Sequence, residues 1–312
     1  MLFPITLAFS RFGALTLGEE GAKPEFSNSA WFGMLFGAGM GVGLVFYGVG
    51  EPLFHFGSLP FGAESGSAQA AEDALRASFF HWGLHPWAGY SVIALCLAYF
   101  QFRKGAPGLM SSLFLPILGP KAHLTAVGKA VDILTIFATV AGIATSLGLA
   151  VLQINSGLQY IFDVPKSIGV QLAVLLVLGF AYTFTAVSGI DKGIKFLGNM
   201  NLFLVCLLAA SLLLLGPTLV IFESLVNTLG AYISNVVPES FKIAPYGGPY
   251  KDWLNSWTVF YWAWLIACAP FGRSCIPRIS RVRSSLPFVT GVLLWPPSCD
   301  FCAVSFFACT AR

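Results

Sequence analysis

The chain has 312 residues, of which 56% are hydrophobic and only 10% are charged. Soluble domains carry about 25% charged residues, so this composition excludes an ordinary soluble core. The formal net charge of +3 is too small to suggest a nucleic-acid partner. Several apolar runs reach the roughly 20 residues that a helix needs to cross a bilayer. The sequence therefore predicts an all-α, polytopic protein of the cell membrane, with the lipid bilayer as its surroundings.

A short apolar start precedes the longer apolar segments. Residues 1–9 are too short to span a bilayer and lack the basic start of a signal peptide, so we interpret them as the end of a truncated span. Residues 223–255 are mostly polar with an amphipathic middle and are not predicted to cross the membrane. The predicted spans are residues 27–56, 75–102, 131–162, 168–187, 196–222 and 257–276.

Basic residues predict the orientation of these spans, because Lys and Arg accumulate in cytoplasmic loops. A cytoplasmic loop at residues 11–25 places most Lys and Arg inside. The basic residues then left outside are Arg76, Lys166, Lys242 and Lys251.

The first span is rich in glycine, most densely in the stretch Gly37–Gly43. Gly costs roughly 1 kcal/mol relative to Ala inside a helix, which opposes an unbroken helix. A span can unwind in hydrocarbon where the freed backbone groups face a ligand or a cavity. Close helix packing through G-x-x-x-G pairs is the alternative. Glycines at every second position wrap around a helix instead of marking one face, so we predict that Gly37–Gly43 is non-helical over part of its length, with carbonyls directed towards the sixth span.

The second span opens with His81 and His85, four residues apart, a spacing that can place two metal ligands on one helix face. A membrane metalloenzyme with histidine boxes would use such pairs repeatedly. The chain has four His in all, at positions 55, 81, 85 and 123, which is too few. No nucleophile–base pair rises above background either, so we do not expect an enzyme.

Aromatic residues of the second and sixth spans allow two interpretations. Trp82, Trp87 and Tyr90 lie close together in sequence, and residues 257–264 supply further rings. These rings could form an aromatic belt at the membrane interface. They could also form a cage that binds a quaternary ammonium through the ring quadrupoles. Spacing alone leaves both open.

The chain carries an ordered set of motifs, namely Gly39–Gly43, Gly50–Pro52, His81–Trp87, Ser188–Lys195, Trp257–Trp264 and Arg278–Arg281. Together these motifs resemble the betaine/carnitine/choline transporter family over residues 1–294. That family is similar to the sodium-symporter fold of two inverted five-helix repeats. The resemblance implies that the first five spans form one repeat, that the sixth opens the second repeat, and that 1–294 is a single, incomplete membrane domain.

The same resemblance implies a substrate site. A trimethylammonium cage would be lined by Trp82, Trp87 and Tyr90 and closed by the sixth span, and the glycine stretch would pass beside the substrate. Choline-handling, proton-coupled members tend to carry Asp at the position of Gly43, so glycine favours a betaine-type, sodium-coupled member. The remaining implied substrate contacts are Gly39, Met40, Gly41, Trp264, Leu265 and Cys268.

Sodium is the implied coupling ion, and no other cofactor is expected. One sodium site would use backbone carbonyls near Gly37 and Met40, and the other would lie near Thr139 and Phe271, a hard cation among oxygens. The resemblance also implies a homotrimer. The predicted function is sodium-coupled uptake of glycine betaine. The alternatives are a non-functional fragment, or a choline or carnitine member with proton or exchange coupling.

The sequence departs from the family pattern near its end. Leu265 and Cys268 stand where the family has Trp, and Arg273 places a charge inside a span, at a cost of at least about 2.5 kcal/mol. The pair Cys299-x-x-Cys302 lacks a second pair and a His partner, so it does not indicate a metal site. We interpret residues 295–312 as an out-of-frame or non-native tail. Because alternating access needs both repeats, a chain of this extent is expected not to transport by itself.

Overall fold

The structure is a computed structural model that describes residues 1–19, 21–39, 41–60, 63–187, 195–270 and 276–310. These residues are almost entirely helical. Two π-helical segments interrupt the helices, Tyr99–Arg103 after α5 and Leu254–Val259 before α12. The α-helices are α1 (Leu2–Ala8), α2 (Asn28–Gly39), α3 (Val42–Ser58), α4 (Ala68–Trp82), α5 (Leu84–Ala98), α6 (Leu115–Leu118), α7 (Ala126–Phe162), α8 (Ile168–Val187), α9 (Lys195–Leu215), α10 (Thr218–Ser240), α11 (Pro249–Trp253), α12 (Phe260–Cys268), α13 (Ile276–Ile279) and α14 (Ser285–Thr310).

Four of the described helices are long and apolar enough to cross a membrane: α7, α8, α10 and α14. Large apolar side chains on α7 and α8 lie on the surface, such as Phe137 at 70% and Leu176 at 74% exposure. A water-soluble protein would bury such side chains, whereas a bilayer solvates them. The chain is therefore a multi-pass membrane protein, as the composition predicts.

The first span is broken inside its glycine stretch. Helix α2 ends at Gly39, and α3 begins at Val42 after Gly41, whose backbone is extended with φ −89° and ψ 171°. The amide of Leu44 donates to the carbonyl of Gly41 at 3.1 Å and so opens the new helix. The predicted interruption of the helix between Gly37 and Gly43 is confirmed for the described residues.

The second predicted span, 75–102, is also broken, and this break was not predicted. Gly83 has φ −84° and ψ −144°, which separates α4 from α5. The backbone N–H of Leu84, freed from helical bonding, donates to the hydroxyl of Tyr232 on α10 at 3.0 Å. A Cβ at position 83 would lie 2.5 Å from the Phe79 carbonyl oxygen and 2.6 Å from the Tyr232 hydroxyl, so the close approach of α10 requires glycine here.

Two boundaries in the second half of the chain differ from the predicted spans. Helix α9 ends at Leu215, and α10 runs through residues 218–240, most of which were predicted to be a polar segment. The polar residues of α10 include Glu239, which accepts a hydrogen bond from Arg76 on α4, so pairing between helices satisfies its charge. The sixth span reaches Cys268 as α12. Residues 295–310 belong to α14, which buries Phe301 and Val304 in the hydrophobic core.

Residues of the segment before α14 contact the first residues of α2. Arg283 donates to the Asn28 side chain at 2.7 Å and lies over the Trp31 ring, 4.2 Å from its centroid. The Trp31 indole N–H donates to the Ser280 hydroxyl at 2.8 Å. Between these anchors Val282 has φ +72°, in the left-handed region that a β-branched residue rarely adopts. These contacts hold α2 against α13 and α14.

Candidate functional site

Trp82 ends α4 in a cluster of aromatic rings. Its ring centroid lies 5.0 Å from that of Tyr261 at an interplanar angle of 69°, and 6.5 Å from that of Trp264 at 73°. The Trp82 indole N–H donates to Glu51 Oε2 on α3 at 2.9 Å. Tyr47 of α3 adds an edge-on ring, with its centroid 5.3 Å from that of Tyr261. Ring pairs near a right angle are the geometry in which several faces can meet one cation.

Trp87 and Tyr90 lie on α5 and belong to a different hydrophobic cluster. Their ring centroids are 5.6 Å apart at 47°. The Trp87 indole N–H donates to Asp300 Oδ2 on α14 at 2.9 Å, and both residues are fully or almost fully buried. The cluster around them includes Trp31 and Phe288. The structure thus pairs Trp87 with Tyr90, but the break at Gly83 gives Trp82 other neighbours.

Helix α12 contacts both α4 and α5 and so touches both aromatic groups. Trp264 packs against Trp82, and its indole N–H donates to the Gly142 carbonyl on α7 at 3.1 Å. Leu265 packs against the cluster that holds Trp87. The Sγ of Cys268 faces α7, because a Cβ on Gly142 would lie 3.1 Å from it. Trp264 and Cys268 therefore both meet α7 at Gly142, whereas Leu265 packs in the cluster around Trp87.

The glycine stretch reaches the same region at one point. A Cβ on Gly43 would lie 2.1 Å from the Trp264 ring, so the start of α3 approaches the sixth span as closely as glycine permits. Gly37 and Gly39 lie in the last turn of α2, where backbone carbonyls have no intrahelical partner. Gly41 lies in the gap between the helices, and Met40 lies outside the described residues.

One of the two implied sodium positions can be compared with the structure. The Thr139 hydroxyl of α7 donates to the Ala267 carbonyl of α12 at 3.2 Å, so two oxygens from two helices lie side by side. Oxygen ligands are what a sodium ion requires, and these residues fit that requirement. Phe271 and Arg273 lie outside the described residues.

Sequence reasoning assigned no role to Glu51 or to His55 of α3. Both are fully buried, and Glu51 Oε1 lies 2.5 Å from His81 Nδ1. His85, by contrast, bonds to the Ser240 hydroxyl at 2.8 Å, so the two histidines of α4 and α5 have different partners. An ionisable residue inside an apolar span, with His four residues later, is a signal that could have identified Glu51.

The family model for the betaine/carnitine/choline family transporters matches residues 1–312. The chain is 48% identical over 309 residues to the glycine betaine transporter OpuD of Bacillus subtilis, covering 99% of this chain and 60% of that protein. It is 43% identical over 312 residues to an ectoine/hydroxyectoine transporter of Virgibacillus pantothenticus, covering 100% and 61%. It is 40% identical over 310 residues to the osmo-independent choline transporter BetT1 of Acinetobacter baylyi, covering 99% and 59%.

The chain spans about 60% of the length of the curated relatives it matches. The family match includes residues 295–312, and the out-of-frame or non-native origin of these residues stays a prediction. Membership in a family of transporters separates the chain from enzymes. On the match over its entire length, this chain belongs to the betaine/carnitine/choline family of transporters.

Proposed function

We propose that the protein of which this chain is part carries a quaternary ammonium compatible solute into the cell, with glycine betaine as the substrate and sodium as the coupling ion. Such uptake accumulates a solute that protects against osmotic stress. The observation that carries the proposal is the 48% identity to a glycine betaine transporter over 99% of the chain, together with buried aromatic residues at each implied cage position.

Substrate recognition rests on cation–π attraction. Trimethylammonium has no N–H donor, so aromatic faces are the groups that bind it without an unsatisfied polar partner. Trp82 with Tyr261 and Trp264 forms one ring group, and Trp87 with Tyr90 forms the other. Helix α12 contacts both α4 and α5, which carry the two groups, so one helix adjoins both halves of the proposed cage.

Coupling to sodium is supported by two features of the described chain. Thr139 and the Ala267 carbonyl supply adjacent oxygens at the contact of α7 with α12. The broken first span leaves the last carbonyls of α2 free of intrahelical partners. A fold of two inverted five-helix repeats and a homotrimer are part of the same proposal, because both are implied by the family resemblance.

Binding of radiolabelled glycine betaine to the purified chain tests the proposal. We expect saturable binding that strengthens when sodium replaces potassium, and at least a tenfold loss of affinity in Trp87→Leu. The matched control is Trp31→Leu, which removes a buried, hydrogen-bonded indole from the same cluster and should leave substrate affinity unchanged. Transport is measured separately, as the uptake of radiolabelled glycine betaine by cells with and without a sodium gradient.

Two results would contradict the proposal. Equal betaine affinity in the wild type and in Trp87→Leu would assign these rings to packing or to the membrane interface. Betaine affinity that is the same in sodium and in potassium would contradict sodium as the coupling ion, but it would not contradict glycine betaine as the substrate.

A second candidate is a choline or carnitine member with proton or exchange coupling. The specific observation in its favour is Asp300, a fully buried carboxylate bonded to Trp87. Asp300 in its ionised form would attract choline, which is a net cation, and repel the carboxylate of betaine. Competition between the two solutes for one site, in the wild type and in Asp300→Asn, distinguishes these candidates.

A further inference from the structure

Three ionisable side chains meet in the protein interior where α3 faces α4. Glu51 and His55 lie one turn apart on α3, and His81 lies on α4. Glu51 Oε1 is 2.5 Å from His81 Nδ1 and 3.3 Å from His55 Nε2. One ligand atom from each residue falls within 4.8 Å of the other two, and all three side chains are buried. The proposed transport function uses none of these side chains.

His55 is the least satisfied member of the group. Both of its ring nitrogens are buried without a hydrogen-bond partner in the described chain, although Nε2 lies 3.3 Å from the carboxylate. A buried polar group without a partner costs about 1–3 kcal/mol, so a ligand at this point would gain what the protein leaves unmet. The imidazole is fixed by the Trp257 ring, whose centroid lies 4.6 Å away at 64°.

A second layer of hydrogen bonds orients the other two side chains. The His81 Nε2 lies 2.8 Å from the Thr258 hydroxyl, in the π-helical segment before α12. Glu51 Oε2 accepts from the Trp82 indole N–H at 2.9 Å, which leaves Oε1 directed at the two imidazoles. Metal-ligating His residues almost always engage their second nitrogen with a fixed polar group, and ligating carboxylates are hydrogen-bonded in the same way.

We propose that Glu51, His55 and His81 form a binding site for a divalent transition metal ion of the zinc class. Two imidazole nitrogens and one carboxylate oxygen are a donor set that suits such ions, whereas sodium prefers oxygen alone. In a tetrahedral site with bonds of about 2.0–2.1 Å, neighbouring ligand atoms lie about 3.3 Å apart. The His55–Glu51 separation already has this value, and the shorter His81–Glu51 contact opens when the ion replaces its proton.

Metal binding through Nδ1 also determines which ring nitrogen of His81 carries the hydrogen. Coordination through Nδ1 requires that nitrogen to be free, so the neutral ring carries its hydrogen on Nε2. The Thr258 hydroxyl, at 2.8 Å, can accept a hydrogen bond from Nε2 as readily as it can donate one. The second layer thus serves both forms of the site without moving the backbone.

The site lies near the C-terminal end of α3. His55 is three residues before the end of α3 at Ser58, which is about 4.5 Å along a helix axis. The loop that follows, before α4 begins at Ala68, falls outside the cell in the orientation predicted from the basic residues. The ion would therefore be supplied from the external solution and would join α3 to α4.

Titration of the purified full chain with Zn²⁺, after removal of metal by a chelator, tests the site. We expect one zinc ion per chain and at least a hundredfold weaker affinity in His55→Gln and in His81→Gln. Thr258→Val should weaken zinc by about 10–100-fold, because it removes only the orienting hydroxyl. The matched control His85→Gln alters the other histidine of the same region and should leave zinc affinity unchanged.

Cysteines offer a competing explanation that the same experiment resolves. Cys206, Cys299 and Cys302 line one apolar cavity of about 300 Å³ between α9 and α14. Cys302→Ser should leave zinc affinity unchanged. Co²⁺ in place of Zn²⁺ should show the visible absorption of nitrogen and oxygen ligands, without the intense near-ultraviolet band of a thiolate. Loss of zinc in Cys302→Ser, a thiolate band, or full affinity in His81→Gln would overturn the proposal.

A folding defect in a variant would not leave the outcome undecided. The wild-type chain alone must show zinc-dependent stabilisation, because an ion that binds only the folded state raises the unfolding temperature as its concentration rises above Kd. Absence of both zinc binding and this shift in the wild type would overturn the proposal without reference to any variant.

Discussion

The two helices on either side of Gly83 contain similar aromatic residues in different surroundings. On the α4 side, Trp82 donates to Glu51, a carboxylate that also lies beside His81 and His55. On the α5 side, Trp87 donates to Asp300, whose other oxygen has no hydrogen-bond partner in the described chain. Each indole thus has a buried carboxylate, but one carboxylate is embedded in a network and the other has a single donor.

This difference predicts opposite consequences for stability from the same pairing of an indole with a buried carboxylate. A buried charge is tolerated where several hydrogen bonds and an opposite or polarisable neighbour compensate for lost hydration. Glu51 meets that requirement through two helices, whereas Asp300 meets it only in part. We therefore expect Glu51 to stabilise the fold and Asp300 to be retained at a cost.

The largest expected effect compares the two carboxylates directly. Glu51→Gln should lower the free energy of unfolding by about 3 kcal/mol or more, because His81 and Trp82 lose their charged acceptor inside the protein and His55 loses the carboxylate beside it. Asp300→Asn should change it by less than about 1 kcal/mol or increase it, since the amide oxygen still accepts from Trp87 and an amide has no charged form to bury. Denaturant unfolding in detergent micelles, followed by tryptophan fluorescence, measures both.

Equal destabilisation by the two substitutions would break the comparison. It would mean that Asp300 has compensating partners of the same strength as Glu51. The control for side-chain volume is Glu51→Leu, which we expect to be at least as destabilising as Glu51→Gln.

The next largest effect is expected at the break between α4 and α5. In Tyr232→Phe the Leu84 N–H loses its acceptor at the point where α4 ends, which should cost about 1–3 kcal/mol of unfolding free energy. Gly83→Ala should cost a similar amount, because its Cβ would meet the Phe79 carbonyl and the Tyr232 hydroxyl. The double variant should cost less than the sum, since removal of the hydroxyl relieves part of the clash. Full additivity would show that α10 does not hold the break.

Particular residues show how far sequence alone could predict this architecture. The break after Gly39 was predicted because several glycines oppose a helix together, and the effect is local. The break at Gly83 was not, because a single glycine is tolerated in a helix and the decisive contact comes from Tyr232, 149 positions later in the chain by the difference of the two numbers. Cage residues were identified by type, but the turn at Gly83 decides which rings meet.

The same limit applies to the polar groups. The partner of His81 is Glu51, thirty residues earlier and on another helix, so no helical spacing could pair them. Helix α10 was missed because its polar residues lower its hydropathy, although Glu239 is satisfied by Arg76 in the fold. Long-range pairing of charged groups is what composition and periodicity leave out.

A smaller effect is expected in the segment between α13 and α14, whose contacts hold Trp31 in the same hydrophobic cluster as Trp87. Val282 has φ +72° in the segment that holds Trp31 through Ser280 and Arg283. A left-handed backbone costs a β-branched residue roughly 1–2 kcal/mol, and glycine avoids that cost. Val282→Gly should therefore raise the free energy of unfolding by about 0.5–1 kcal/mol after the greater chain entropy of glycine is subtracted. Val282→Ala is the control and should gain less, because alanine retains a Cβ.

The smallest expected effect concerns Glu25, a carboxylate that also accepts hydrogen bonds but lies in water. Arg278 donates to both oxygens of Glu25, at 3.0 Å for the Nη2–Oε1 pair, and this bond lowers the pKa of Glu25 from its ordinary value of 4.5. Because the pKa is lower in the folded state, the ion pair stabilises the fold above pH 4.5, and its contribution is lost as the pH falls through the lowered value.

The side chains of Glu25 and Arg278 are 45% and 35% exposed, so the contribution should be at most a few tenths of a kcal/mol and should weaken with salt. Glu25→Gln should thus fall slightly below the wild type in unfolding temperature at pH 7 in low salt, and the gap should close as the pH falls through the lowered pKa of Glu25. A gap as large as that of Glu51→Gln would mean that water does not account for the difference between exposed and buried carboxylates in this protein.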